Sequence, residues 1–210
     1  IVRQGLEVRK IPCNLHHYDA GRFIHAVVTE GSHSLQVLGL YGHPNSSTDA
    51  EQRIKNEVLL QDACAVMAGM GARPALLCGD LNVQYHRSTV LQSHCERGLL
   101  VDLAQTQATL AGVEPSPTCF ANRNSLGTRI DHVFANESAA LAFRCLAVDP
   151  EGAQPTHRSV KVTICITASS QKINKLRRPR NKLLFCPLKK DQEETEFTSR
   201  HLDPIQRDFD

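Results

Sequence analysis

The chain has 210 residues, and its 24 Lys and Arg against 22 Asp and Glu give a formal net charge of +2 at pH 7. This length suits one domain plus a tail, because domains cluster near ~100–150 residues. An apolar fraction of 41 % and a charged fraction of 22 % exclude wholesale disorder and collagen-like repeats. No apolar run reaches the ~18 residues that a membrane-spanning helix needs.

The start of the chain and its cysteines bear on the origin of the protein. The chain opens on Ile1 without the basic and apolar segments of a signal peptide, which predicts a fragment or an incomplete gene product. Its 8 cysteines form no C-x-x-C pair, so buried free thiols are favoured over a zinc site or a disulfide framework. This usage favours an intracellular location, nuclear or cytoplasmic.

Two strands and one helix are predicted first along the chain. Residues 23–28 and 35–41 are apolar and β-branched, and a turn separates them. Thr48 as N-cap and Glu51 three residues later match a capping box, which predicts a helix over residues 49–70. Its apolar face is expected to carry the following residues: Ala50, Ile54, Val58, Ala63, Met67 and Met70.

The remaining elements predict a layered α/β protein. The apolar run at residues 74–78 indicates a buried central strand, and further strands are expected at 130–134, 141–148 and 159–166. Strand, helix and strand followed by more strands favour an α/β (α+β) layered sandwich over an all-β barrel. Residues 1–170 therefore form the predicted domain. The polar, charge-dense residues 171–210 are interpreted as a tail or linker, although the basic cluster at 172–182 could instead contact nucleic acid.

The most informative segment is Gly79-Asp80-Leu81-Asn82, which follows the predicted central strand. Functional side chains of α/β sheets lie at such strand ends. If the extended conformation persists, Asn82 faces the same side as Asp80. A carboxylate beside a carboxamide suits a metal-assisted phosphoryl site, with Asp80 and Asn82 as the predicted metal ligands. The alternative is plain turn chemistry, because these residue types also favour turns.

Two further segments each carry one candidate side chain. Asp131 is a carboxylate in an otherwise apolar strand, which is costly unless it is paired. His157 lies at the start of the last predicted strand, where an Asp–His pair would fix its tautomer and leave one nitrogen for a substrate. Taken one at a time, these residues are better explained as a structural Asp and a surface His.

Taken together and in order, these segments resemble the endonuclease/exonuclease/phosphatase superfamily. The resemblance rests on G-D-L-N at 79–82, R-I-D-H-V-F at 129–134 and T-H-R-S-V at 156–160, with minor matches at 40–45, 98–102 and 117–120. The superfamily has the deoxyribonuclease-like fold and includes the apurinic endonucleases, sphingomyelinases, inositol polyphosphate phosphatases and the endonuclease domains of LINE-type retrotransposons. The resemblance covers about residues 23–166.

The resemblance implies hydrolysis of a phosphodiester or phosphomonoester that depends on Mg²⁺, with Mn²⁺ as an alternative. Asp80 would orient or deprotonate the attacking water, and Asn82 would stabilise charge on the phosphate. His157, paired with Asp131, would bind or protonate the phosphate. Tyr41 would contact the phosphate or the leaving group.

Two departures from the family pattern favour a second interpretation. The family begins with a strand ending in Asn and a strand carrying a metal-binding Glu, and Glu7 and Asn14 lie in the wrong order and context for these. Thr156 stands where an Asp is usual, and a neutral hydroxyl is a poor Mg²⁺ ligand. The chain is therefore expected to lack the first strands of the fold. A non-catalytic remnant or binding module of a retroelement endonuclease domain is the alternative to a metal-dependent, nuclease-like phosphoesterase.

Nucleic acid is the favoured partner, with phosphorylated small molecules or lipids as alternatives, and no oligomeric state is predicted. Selectivity in this superfamily lies in loops. Residues 84–97 hold several basic and aromatic side chains and are interpreted as a loop that faces the substrate or as a solvated loop.

Overall fold

A computed structural model of the chain describes residues 5–13, 20–122, 125–149 and 156–169. All of them lie in the first of two units into which the chain divides, residues 1–171. The predicted tail, 171–210, and Asn14 fall outside the described residues, so their interpretation stays a prediction. Among the described residues, none of the helices is both long and apolar enough to cross a membrane.

The described part of the chain forms two sheets and four helices. In chain order the strands and helices are β1 (Glu7–Ile11), β2 (Phe23–Glu30), β3 (His33–Tyr41), α1 (Ala50–Gly69), β4 (Ala75–Asp80), α2 (Thr89–Glu96), β5 (Val101–Asp102), α3 (Leu103–Ala111), β6 (Asp131–Ala135), α4 (Glu137–Ala142), β7 (Phe143–Val148) and β8 (Val160–Ile164). Short 3₁₀ turns lie at Tyr85–Arg87 and Ile166–Ser169.

The larger sheet has the strand order β1-β2-β3-β4-β6-β5, and β7 pairs with β8 in a smaller sheet. β3 and β4 are parallel, whereas the other pairs in the larger sheet are antiparallel. A parallel pair needs a crossover connection, and α1 supplies it. The carboxyl ends of β3 and β4 therefore meet the start of β6 at one edge of the sheet.

Two clusters of buried side chains cover the two faces of the larger sheet. Leu38, Leu77 and Phe134 face α1 and α2. On the other face, Leu76 and Val133 pack against α3, α4 and the smaller sheet. With α1 and α2 on one face and α3, α4 and the second sheet on the other, the larger sheet forms the centre of a layered α/β sandwich, so the predicted fold class is confirmed.

α1 differs from its prediction in its cap and its buried face. Asp49, not Thr48, is the N-cap and accepts hydrogen bonds from the backbone N–H groups of Glu51 and Gln52 at 2.8 and 3.2 Å, whereas the Thr48 hydroxyl donates to Asn45 O. The buried residues are Asn56, Leu59, Leu60, Ala63, Cys64 and Met67.

The predicted face of α1 was wrong at three positions. Ala50 is exposed, and Ile54 and Val58 are 66 % and 45 % exposed. The helix is rotated because Asn56 is buried, where its amide donates to Leu81 O at 2.9 Å and accepts from the backbone N–H of His43. A polar anchor of this kind outweighs the apolar pattern, since both carbonyl and N–H partners are satisfied.

Two other predictions need correction. The strand expected at 141–148 begins only at Phe143, because Asn136 caps α4 by accepting from Ala139 N at 3.0 Å. Residues 84–97 are not an open loop, since most of them form a 3₁₀ turn and α2, which Ser88 caps by accepting from Leu91 N.

Candidate active site

The register of the larger sheet places three predicted site residues side by side. Tyr41 at the end of β3 pairs with Asp80 at the end of β4, and Asp80 pairs with Asp131 at the start of β6. Because side chains directly opposite in neighbouring strands project to the same face, these residues form one row at the edge of the sheet. We call this row, together with His157, the acidic edge.

Glycine allows β4 to deliver Asp80 to this row. Gly79 has a φ of +143°, and a Cβ atom on it would lie 2.0 Å from the carbonyl oxygen of Leu40. Only glycine permits such a close approach of two backbones at a positive φ. β4 is then tied down on both sides, because Gly42 N donates to Asp80 O at 2.7 Å and Leu81 N donates to Ile130 O at 2.9 Å.

The extended conformation ends at Asn82, so this side chain does not follow Asp80. Asn82 has a φ of +51°, and its backbone N–H donates to Asp80 Oδ1 at 3.0 Å. Its side-chain amide donates to Gly42 O at 3.2 Å, and Asn82 is not among the residues that line the cleft at the acidic edge. The structure therefore brings Tyr41, Asp80, Asp131 and His157 together and leaves Asn82 beside them as a support for Asp80.

His157 reaches the acidic edge through a short strand-like segment. Cys119 and His157 form an isolated β-bridge, and Arg158 N donates to Thr118 O at 2.7 Å. The Thr118 hydroxyl oxygen accepts from Asp131 N at 3.1 Å, which ties this segment to β6.

The Asp–His contact proposed from the sequence is present. His157 Nδ1 lies 3.0 Å from Asp131 Oδ2, and both side chains are partly buried. A carboxylate at Nδ1 fixes the neutral ring with its proton on Nδ1 and also stabilises the imidazolium form. The other nitrogen, Nε2, is then the one that can act on a ligand.

Cys119 is a neighbour of the site that the sequence analysis missed. Its Sγ lies 3.6 Å from His157 Nε2. Burial, followed by the charges of Asp131 and Asp80, raises the pKa of the Cys119 thiol above its usual value, so the sulfur stays protonated and neutral. The C-F pair next to a P-T motif was visible in the sequence, but nothing in it indicated contact with a histidine 38 positions away.

The electrostatics of the acidic edge favour a cation. Burial raises the pKa of Asp80 above its usual value and the Asp131 charge adds to this, whereas the Asn82 N–H and His157 oppose it. Two carboxylates that share one partly buried edge repel each other, and a positive ion placed between them relieves that repulsion.

The donor set fits a divalent metal ion. Ligand atoms of Asp80, Asp131 and His157 all lie within 4.8 Å of one another, and within the described ranges no other group of His, Cys, Asp or Glu does so. Two carboxylates suit a hard cation that keeps most of its waters. The His157 imidazole is not counted as a ligand, because its Nδ1 bonds to Asp131. The acidic edge is thus a candidate divalent-metal site.

An open cleft of about 880 Å³ lies at the acidic edge. Its polar side carries Tyr41, Asp80, Asp131, His157 and Arg158, and Thr156 is exposed at its rim. The rest of its lining combines the apolar residues Cys78, Val133, Val160 and Val162 with Gly79, His132 and Ser159. A phosphate group could therefore reach the acids and the histidine from solvent.

Behind the acidic edge lies a second charged cluster whose function the sequence did not indicate. Arg129 binds Asp102 through two contacts of 3.0 and 2.8 Å, and its Nη1 also lies 3.3 Å from His132 Nδ1. His132 Nε2 donates to Val83 O at 3.0 Å. Burial and the Arg129 charge lower the pKa of His132 to about 4, so this ring is neutral. We call these residues the buried network.

The comparisons with known proteins agree with this fold. The sequence matches the model of the Endonuclease/Exonuclease/phosphatase family over residues 15–169. No curated protein matches the sequence.

Solved structures share the fold at low sequence identity. An AP endonuclease from Archaeoglobus fulgidus has a TM-score of 0.59 and 16 % identity, over 76 % of this chain and 79 % of that one. A 3′ phosphatase from Neisseria, bound to a product DNA hairpin, has a TM-score of 0.57 and 17 % identity, over 76 % and 79 %. The endonuclease domain of TRAS1, a telomere-specific non-LTR retrotransposon, has a TM-score of 0.53 and 16 % identity, over 77 % and 68 %.

Proposed function

The chain belongs to the Endonuclease/Exonuclease/phosphatase family, and from this premise we propose that it is a nuclease-like hydrolase of phosphodiester bonds that uses a divalent metal ion. The observation that carries the proposal is the acidic edge, where the Asp131–His157 pair lies next to Asp80 in an open cleft. A paired histidine and a separate carboxylate are the two groups that acid–base hydrolysis needs.

Each side chain has a distinct task in the proposed reaction. Asp80 orients the attacking water and takes its proton while the water oxygen forms a bond to phosphorus. The bond from phosphorus to the departing oxygen breaks, and His157 donates a proton to that oxygen. Asp131 holds the imidazolium in place, and the Tyr41 phenol donates to a phosphate oxygen.

The metal ion in this proposal is Mg²⁺, with Mn²⁺ as an alternative. Asp80 and Asp131 would hold it, and when bound it supplies positive charge that neutralises the phosphate oxygens. The Asn82 amide, proposed as a ligand from the sequence, donates to Gly42 O, so its contribution is to position Asp80 through the backbone.

Nucleic acid is the proposed substrate, in line with the DNA hairpin bound to the similar Neisseria enzyme and with the endonuclease names of the other two neighbours. The similarity to the TRAS1 domain supports a retroelement endonuclease in particular. Phosphorylated small molecules and lipids are the competing substrate classes.

The test is cleavage of supercoiled plasmid and of bis(4-nitrophenyl) phosphate by the full chain with Mg²⁺, with Mn²⁺ and with EDTA. We expect metal-dependent nicking that Asp80→Asn abolishes. The matched control is Glu51→Gln, which removes an exposed carboxylate on α1 whose only ionic partner among the described residues is Lys55, and it should leave cleavage unchanged. Cleavage that persists in Asp80→Asn would contradict the proposal.

A second candidate, a binding module without catalysis, is favoured by two observations at His157. Cys119 Sγ lies against His157 Nε2, the nitrogen that would otherwise act on a substrate. The residue before His157 is Thr156, which offers an exposed hydroxyl and no carboxylate. A module of this kind binds DNA but does not cleave it with either metal. Thr156→Asp separates the two candidates, because a carboxylate added at this position should increase metal-dependent cleavage only if the rest of the site is competent.

A further inference from the structure

Two arginine–aromatic stacks flank the acidic edge. On the β3 side, the Arg22 guanidinium carbon lies 5.4 Å from the ring centre of Tyr41. On the other side, the Arg158 guanidinium carbon lies 4.0 Å from the ring centre of Phe120. Both distances are within the range of cation–π contact.

The strand order fixes where the two stacks lie relative to the acids. Tyr41, Asp80 and Asp131 occupy three neighbouring strands, and the segment of Phe120 and Arg158 lies beyond Asp131. The strands of Tyr41 and Asp131 are two spacings apart, about 10 Å. The two arginines thus belong to segments on opposite sides of the acidic pair, and Arg158 also lines the cleft.

Both arginines keep donors available for a ligand. Within the described residues neither has an acidic partner, and Arg158 makes no side-chain hydrogen bond. Arg22 uses only Nη1, which donates to the carbonyl oxygens of Tyr41 and Gly42 at 3.3 and 3.0 Å. A guanidinium has five N–H donors, so most of them remain.

The stack of Arg158 is held rigidly. Phe120 N donates to Thr156 O at 2.7 Å, and the Phe120 ring lies so close to Gly127 that a Cβ atom there would be 2.6 Å from it. A guanidinium that is already oriented loses less freedom when it binds a phosphate. This favours a binding role over a loose surface charge.

We propose that Arg22 and Arg158 bind the phosphates on either side of the scissile one in a nucleic-acid strand that crosses the acidic edge. Without a bound metal ion the acids at the centre repel phosphate, so in that state attraction for a polyanion comes from the flanks of the acidic edge. A single phosphate cannot contact two guanidinium groups separated by more than about 10 Å, whereas a strand with regularly spaced phosphates can. The proposal rests on the proposed function, since it names the substrate of the same site.

The first experiment measures binding alone. Fluorescence anisotropy follows a labelled single-stranded oligodeoxynucleotide and the full chain in EDTA, at several salt concentrations. We expect Arg22→Gln and Arg158→Gln each to weaken binding about five- to tenfold and to reduce the slope of log K against log salt by about 0.7, which a lost phosphate contact predicts. Arg158→Lys should keep the salt slope.

The matched control is Arg144→Gln, at an exposed arginine on β7 whose side chain bonds, in the described part of the chain, only to Phe143 O. It should leave affinity and salt slope unchanged. The proposal would be overturned if Arg22→Gln and Arg158→Gln both left the salt slope unchanged, or if Arg144→Gln changed it equally. Stronger competition by inositol hexakisphosphate or phosphatidylserine vesicles than by unlabelled oligonucleotide, at equal phosphate, would overturn the nucleic-acid assignment.

Turnover with the oligonucleotide separates this inference from the proposed function. With Mg²⁺, Arg22→Gln and Arg158→Gln should raise KM more than they lower kcat, because the phosphate contacts that they remove lie away from the scissile bond. Altered binding without any cleavage would leave the two phosphate contacts standing and refute the hydrolase. Cleavage by the parent chain, together with an unaltered KM and salt slope in both arginine variants, would support the hydrolase and refute the two phosphate contacts.

Discussion

β6 carries an aspartate and a histidine next to each other, Asp131 and His132, and they end in opposite environments. Asp131 faces the open cleft and bonds to His157. His132 faces the other side of the sheet, where it stacks on Phe134 with ring centres 5.4 Å apart and is 2 % exposed. Alternation along the strand thus separates an acidic edge from a buried network only one residue away.

The ion pairs in these two regions differ in the same way. Arg129 and Asp102 pair through two contacts with side chains 15 % and 9 % exposed, and all the charge is compensated internally. His157 and Asp131 share one contact, with side chains 27 % and 20 % exposed, and Asp80 beside them has no cation of its own in the described structure. The buried network stabilises the fold, whereas the acidic edge leaves charge uncompensated for a ligand.

The largest expected effect is on catalysis at the acidic edge. Asp131→Asn keeps the size of the side chain but no longer stabilises the imidazolium of His157, so metal-dependent cleavage should fall by up to ~10⁴-fold. Unfolding by urea should change little, because the pair is partly exposed. A variant that retains more than a tenth of the activity would contradict the assigned role of Asp131.

The next effect is on stability, in the buried network. Asp102→Asn removes the partner of a buried guanidinium, which should lower the free energy of unfolding by about 3–5 kcal/mol. Equilibrium unfolding in urea measures it. The matched control is Asp149→Asn, whose pairing with Lys161 is exposed and should contribute less than about 1 kcal/mol. Similar losses in the two variants would show that burial does not distinguish these pairs.

Acid should weaken the buried network through His132. Its pKa is lowered from 6.5 to about 4 in the folded chain, so between these values the unfolded chain binds a proton that the folded chain does not. Stability therefore falls as the pH drops from about 6.5 towards 4, by roughly 3 kcal/mol in total. Urea unfolding at several pH values measures the slope, and His132→Gln, which can still donate to Val83 O, should flatten it. If the unfolding free energy of His132→Gln depends on pH as steeply as that of the parent chain, a group other than His132 causes the acid sensitivity.

The smallest effect has the opposite sign. Asp80→Asn removes a partly buried charge that Asp131 repels, so the variant should be slightly more stable than the parent chain even though we expect it to be inactive. Its Oδ1 can still accept from Asn82 N. Urea unfolding beside Glu51→Gln tests this, and a destabilised Asp80→Asn would place Asp80 among the residues that hold the fold.

Local patterns predicted much of this arrangement. Apolar, β-branched runs separated by a turn predicted β2 and β3, and a carboxylate inside an apolar strand indicated that Asp131 is a paired group. The order of the family motifs then indicated which histidine completes the pair, which spacing alone does not.

What the sequence did not predict depends on partners distant in the chain. Thr48 and Asp49 both suit an N-cap, and the turn at Asn45, with a φ of +62°, decides between them by taking the Thr48 hydroxyl. Asn56 was overlooked because a polar residue becomes a core residue only when a carbonyl such as Leu81 O is available to it. Asn82 left the strand because its left-handed conformation lets it bond to Asp80.

The crossover between β3 and β4 has a consequence for how the protein is made. β3 and β4 can pair only after the chain between them, which includes α1, has closed into a loop. Closing this loop costs conformational entropy before the two strands make any contact, so this part of the sheet forms slowly. During synthesis Asp80 and Asp131 emerge from the ribosome before His157, whose contact with Asp131 spans 26 further positions. A nascent chain therefore carries its acids before it carries the histidine that we propose as the proton donor. Reactivity towards phosphodiesters is expected to arise late in synthesis, after most of the larger sheet has been translated.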